Sequence, residues 1–212
     1  MSRYGNKMQW VEFQQKMSAF PVFSLQDIHK NISGFSYRQL DRWEKKGFLH
    51  KIKRGFYCLT SHVLTEPFLY FTASKIYDPS YISLEKALKY YGLIPEEIFQ
   101  ITSVSPRKTV QFETVVGHFS YRHIKPGLFW GYRLLDQDQH KFLMAEPEKA
   151  ILDYLYLWPQ IKTVADFKEV RINADSFYEQ IDPGKLEKYL QAFNSKALIV
   201  RTKELLASLS HD

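Results

Sequence analysis

Residues 35–59, FSYRQLDRWEKKGFLHKIKRGFYCL, constrain the fold more tightly than any other stretch of the chain. Ser36, with Gln39 three residues on, matches a capping box at a helix start. Leu40 and Trp43 are three apart and share a helix face. With about 100° per residue, the opposite pole falls between Arg38 and Lys45, with Arg42 close by. Asp41 lies to one side, at i,i+4 spacing from Lys45. Gly47 is the residue type that closes a helix in the left-handed conformation. Beyond it, Phe48-Leu49-His50-Lys51-Ile52 and Phe56-Tyr57-Cys58-Leu59 flank Lys53-Arg54-Gly55, the pattern of two short strands around a basic turn. A helix with a cationic outer face, followed at once by a cationic hairpin, makes the second half of a winged helix-turn-helix.

A basic helix face alone is usually an ordinary solvated face. The location of the charge adds a second argument. Residues 1–60 hold 11 Lys and Arg against 4 Asp and Glu, a net of +7; the other 152 hold 18 against 19, a net of −1. The whole cationic excess therefore sits in the first 60 residues, as expected of a phosphate-binding surface.

At 212 residues the chain suffices for one large domain or two small ones. A hydrophobic fraction of 45% and an aromatic fraction of 16% predict a packed core and exclude a disordered tail-type binder. Cys58 is the only cysteine, which excludes an intrachain disulfide and fits a reducing cytoplasm. The first ten residues, MSRYGNKMQW, carry no apolar leader pattern. No uncharged apolar run approaches membrane-spanning length; the best, residues 150–158, is interrupted by Asp153.

The expected class is α+β: an N-terminal winged helix-turn-helix over residues 1–60, then a larger mixed domain over 61–212 with a mostly antiparallel sheet and C-terminal helices. Trp10, Phe13, Met17 and Phe20 predict an amphipathic helix ending before Pro21. Ser24 caps a second helix, with Asp27 at its third position and Leu25, Ile28 and Ile32 on its apolar face; Ser33-Gly34 makes the turn. In such motifs the next helix, here residues 37–46, enters the major groove. Arg38 and Arg42 are the expected base readers, since Arg pairs bidentately with guanine. Tyr37 and Gln39 sit near the helix start, within reach of base or phosphate. Lys45, Lys46, Lys51, Lys53 and Arg54 are expected on phosphates, which fix register without reading sequence. Asp41 is expected in a local ion pair rather than on cytosine.

Further on, residues 62–67 read as a connection, and Phe68, Leu69, Phe71, Thr72, Ile76 and Tyr77 as a buried helix. Ser83 is expected to cap a helix that Gly92 ends. Between Phe99 and Ala145, short β-branched and aromatic runs punctuated by Gly117, Pro126-Gly127 and Asp136-Gln137-Asp138 predict four or five strands. Glu146, Pro147 and Glu148 start a helix with Ala150, Ile151, Tyr154, Leu155 and Trp158 on its apolar face. Residues 164–172 are ambiguous. Asp182-Pro183 begins a helix with Leu186, Tyr189, Leu190 and Phe193, and a last helix holds Leu198, Ile199, Leu205 and Leu206.

The run RWEKKGFLHKIKRGFYCL (42–59) resembles the basic wing of the AbiEi-like antitoxins, regulators of type IV (abortive-infection E) toxin–antitoxin systems. The similarity continues at YISLEKALKYYGLIPE (81–96), FWGYRLL (129–135) and MAEPEKAILDYLY (144–156), in the family's order; the last 50 residues carry none. The resemblance implies a winged helix that binds double-stranded operator DNA and represses its own operon, and a C-terminal domain for antitoxicity, with self-association on DNA as a possibility. It also implies a cognate nucleotidyltransferase toxin as functional partner, with direct contact between the two left open. The blocks at 81–96 and 144–156 have structural readings (a capped helix, a Gly C-cap, a Pro helix start) and receive no chemistry.

Signals for catalysis are weak, and neither cofactor nor metal is expected. Asp136-x-Asp138 lacks the upstream Gly-Ser element of nucleotidyltransferases and occupies a turn, where Asp is favoured for local hydrogen bonding. Asp166-x-Lys168 matches half of a nuclease site, but the triplet recurs at Glu44-x-Lys46 and occurs at chance frequency. His118 and His123, at odd spacing, point to opposite strand faces. No phosphate loop, nucleophile elbow or His-Glu-x-x-His is present. Two alternatives to a DNA-binding antitoxin stand: a protein-interaction module whose winged helix binds a partner, and a nucleic-acid-processing enzyme.

Overall fold

A computed structural model of the chain describes residues 8–210. The N-terminal ten-residue reading falls largely outside them. The fold is mixed α+β, with one small and one large sheet and helices around both.

The first unit runs α1 (Trp10–Met17), β1 (Phe23–Ser24), α2 (Leu25–Asn31), α3 (Arg38–Lys45), β2 (Leu49–Lys53), β3 (Phe56–Leu59). Its strands pair antiparallel in the order β1-β3-β2. Ser24 caps α2 as expected, its hydroxyl accepting from the Asp27 amide while the Asp27 carboxylate accepts from the Ser24 amide at 2.7 Å. Phe13, Met17, Phe23, Ile28, Leu40, Trp43 and Leu49 form the core of this unit.

The start of α3 departs from expectation. Tyr37, not Ser36, holds the N-cap position, and no side chain caps the helix. The amides of Gln39 and Leu40 instead bond the carbonyls of Ser36 and Tyr37, a tight 3₁₀ entry. The Gln39 side chain is spent elsewhere, donating to the Met8 carbonyl at 2.8 Å. The other end is as predicted: Gly47 has φ +72°, with the paired bonds Phe48 N–H to Trp43 and Gly47 N–H to Glu44 that close a Schellman motif.

The larger unit holds α4 (Glu66–Ile76), β4 (Tyr81–Ile82), α5 (Leu84–Tyr90), β5 (Ile101–Ser105), β6 (Val110–Thr114), β7 (Gly117–His123), a 3₁₀ turn, β8 (Tyr132–Gln137), β9 (His140–Ala145), α6 (Pro147–Leu157), α7 (Val164–Val170), α8 (Ala174–Gln180), α9 (Pro183–Phe193) and α10 (Lys196–Leu209). Its six strands lie in the order β6-β7-β5-β4-β9-β8. Three pairs are antiparallel, and β5·β7 and β4·β9 are parallel. β5 is buried along its whole length, as a strand covered on both faces. α4 and α6 are core helices, as the apolar runs predicted.

Ser83 occupies the N-cap position of α5 but does not cap it. The Thr102 hydroxyl does: it accepts from the Lys86 amide at 3.0 Å and donates to the Ser83 carbonyl at 2.7 Å. No helix among the described residues is long and apolar enough to cross a membrane.

The units touch. Val22, Ile52 and Cys58 of the first belong to the apolar cluster of the second. Lys75 of α4 pairs with Asp27 of α2 at 3.5 Å. Burial pushes the Cys58 thiol up to about 12, which leaves it inert.

Candidate nucleic-acid interface

α3 buries Gln39, Leu40 and Trp43. The helical wheel then turns Arg38, Asp41 and Lys45 outward, and all three are exposed. Arg42 and Lys46 lie on the flank toward α1; Glu44 lies on the opposite flank, toward the small sheet. There Tyr57 is held above its ordinary pKa by burial first, then by the Asp41 and Glu44 carboxylates. Tyr37 is partly exposed at the helix start, edge-on to His29 of α2 at 5.1 Å and to Phe35 at 5.9 Å. Lys51 and Arg54 are exposed on β2 and its turn.

Two of the expected contact residues lie elsewhere. Gln39 is 5% exposed and committed to the Met8 carbonyl, so its amide supports the fold instead of facing solvent. Lys53 turns toward the larger unit: its ammonium lies 4.5 Å from the Phe112 ring centroid, 5.1 Å from Phe56 and 5.8 Å from Tyr77. Burial first, then the nearby Arg107 guanidinium, hold its pKa below the ordinary lysine value. A bulge between Lys51 and Lys53 puts these two lysines on different sides of the hairpin. The remaining set is Tyr37, Arg38, Arg42, Lys45, Lys46, Lys51 and Arg54, the first five on α3 or its two cap positions.

A second polar constellation escaped the sequence reading. Lys149 and Asp153, one turn apart on α6, form an ion pair with both side chains fully buried. The Tyr81 and Ser83 hydroxyls each donate to Asp153 Oδ2 at 2.9 Å, and Lys149 Nζ donates to the Tyr81 oxygen at 2.8 Å. The ammonium also faces the rings of Trp130 and Phe193, at 5.0 and 4.9 Å. Burial pushes Lys149 down and Asp153 up, and their mutual attraction opposes both shifts. Three of the four resemblance blocks thus meet at one point: Tyr81 and Ser83 from 81–96, Trp130 from 129–135, Lys149 and Asp153 from 144–156. With every charged atom enclosed, the node ties elements together and offers no surface to a substrate.

The acidic motifs are also in structural roles. Asp166 accepts from the amides of Lys162 and Thr163 in a capping box at the start of α7, and those bonds lower its pKa. Asp136 faces Lys141 across the β8–β9 hairpin at 3.9 Å. His118 and His123 both lie on β7. Among the described residues no group of three or more His, Cys, Asp or Glu side chains is placed to hold a metal. Compared with models of known protein families and with curated proteins, the chain matches none.

Proposed function

We propose that the first unit is a winged helix-turn-helix that binds duplex DNA, and that the protein is a transcriptional autoregulator. The observation that carries this reading is α3, whose solvent-facing side holds Arg38, Lys45 and the flanking pair Arg42–Lys46. The element order α1-β1-α2-α3-β2-β3, with β1 paired to β3, supports it. So does the net charge of +7 over residues 1–60. α3 enters the major groove, and its N-terminal Arg38 reads a base edge. Lys45, Lys51 and Arg54 neutralise phosphates.

The resemblance of the four blocks to AbiEi-like antitoxins extends the proposal. The larger unit serves antitoxicity against a nucleotidyltransferase toxin, and the DNA bound is the operator of the protein's own operon. The test is Arg38→Ala, assayed on the upstream DNA and on single-base variants of it. The expected result is a loss of discrimination at one base position worth about 1–3 kcal/mol. Unchanged discrimination at every position would remove Arg38 as a reader.

A further inference from the structure

The cations of α3 fall into two sets with different surroundings. Arg38 and Lys45 lie at the pole opposite the buried Leu40 and Trp43. Arg42 and Lys46 lie one turn apart on the flank and line a cleft of about 310 Å³ with Met8, Gln9, Trp10 and Phe48. Trp10 is fixed in the cleft wall by edge contact with Trp43, centroids 5.2 Å apart, and by Phe48 at 4.8 Å. No carboxylate among the described residues lines this cleft. Among the described residues neither Arg42 nor Lys46 is in a salt bridge, and the same is true of Arg38 and Lys45.

We propose that this cleft takes one phosphodiester of the DNA backbone, gripped by Arg42 and Lys46, so that Arg42 positions the recognition helix and does not read sequence. The proposal deepens the DNA-binding reading and rests on it. Side chains at i,i+4 start about 5–6 Å apart, a span that a single phosphate bridges. The planar guanidinium engages two phosphate oxygens at once, and the ammonium adds a point charge. Arg42 lies near the outward pole, on the side that borders this cleft, and is only partly exposed there. Trp10 and Phe48 give the cleft an aromatic wall beside Arg42 and Lys46. The division of labour is then Arg38 for sequence and Arg42 with Lys46 for register.

The experiment measures binding of the full chain to its upstream DNA and to single-base variants, across a salt series. Wild type, Arg42→Ala, Arg42→Lys, Lys46→Ala and Arg38→Ala are compared. For Arg42→Ala and for Lys46→Ala the expected result is equal weakening on every duplex. The slope of log K against log salt becomes shallower by about 0.9 per lost contact, and the ranking of base variants is preserved. Arg42→Lys keeps most of the slope. Since both side chains are at least partly exposed, circular dichroism melts of these variants should match wild type and exclude misfolding as the cause. Flattened base ranking with an unchanged slope in Arg42→Ala would overturn the proposal and make Arg42 a reader. No change in slope or affinity for either variant would overturn it as well. Wild-type protein without selective binding would instead strike the DNA-binding reading itself, and the proposal with it.

Discussion

Lys149 and Asp153 carry opposite charges with no exposed surface on either side chain, so each depends on the other. Removing one leaves a buried charge without compensation, a loss of about 3–5 kcal/mol. Lys149→Met is therefore expected to lower the urea midpoint sharply, and Lys149→Met combined with Asp153→Leu to recover much of the loss; a double variant no better than the single would contradict this. Asp27 makes a second residue-scale case. Its partial burial raises the carboxyl pKa, but the Ser24 amide and hydroxyl and the Lys75 ammonium outweigh that, and the net value lies below the usual 3.8. A depressed carboxylate contributes stability that is fully present above the unfolded value and lost as pH falls through the lower folded value. Acid unfolding should therefore draw in part on Asp27, and Asp27→Asn should be less stable than wild type at pH 7 while converging with it once the pH falls below the depressed folded value. Parallel curves at all pH values would show that the carboxylate charge contributes nothing. The two sites also differ in how far the sequence reveals them. Ser24 and Asp27 are three residues apart and announce themselves. Tyr81 and Asp153 are separated by about seventy positions, and no local pattern brings them together.

The elements show the same contrast. Helix ends set by local chemistry were legible: Gly47 and Gly92 both take positive φ, and Pro147 and Pro183 both open helices. Ends set by distant partners were not. Ser83 looks like the cap of α5, but Thr102 caps it from a neighbouring strand. Ser36 looks like the cap of α3, but the Gln39 amide that would complete the box is bonded to Met8. The two-residue strands β1 and β4 are too short to show a period, and the parallel pairing of β4 with β9 joins segments separated by one α-helix, a 3₁₀ turn and four strands. Gly47 gives the element-scale prediction. It has open space around its missing Cβ, so Gly47→Ala suffers only the left-handed backbone penalty, about 1–2 kcal/mol in denaturant unfolding. A neutral substitution would mean that the chain leaves α3 by another route at no cost.

At the scale of the whole molecule, two apolar clusters share a boundary crossed by Val22, Ile52 and Cys58. The Asp27–Lys75 pair and the Lys53 ammonium over Phe112 add to it. The charge split at residue 60 marked the basic unit in the sequence, but it gave no sign that the basic hairpin packs against its neighbour through Lys53. Trp10 and Trp43 report on the first cluster, Trp130 and Trp158 on the second. Variants that keep only one pair are expected to unfold with coincident midpoints in urea, and two separated midpoints would mean that the boundary couples the units weakly. The proposed function rests on the exposed side of α3. The most direct test is a mobility shift of the purified chain on the DNA immediately upstream of its own coding sequence, against an unrelated fragment of equal length, with salt raised from low to physiological. Selective binding that persists at physiological salt is the predicted result. Equal, salt-labile binding to both fragments would contradict it and leave only a generic basic surface.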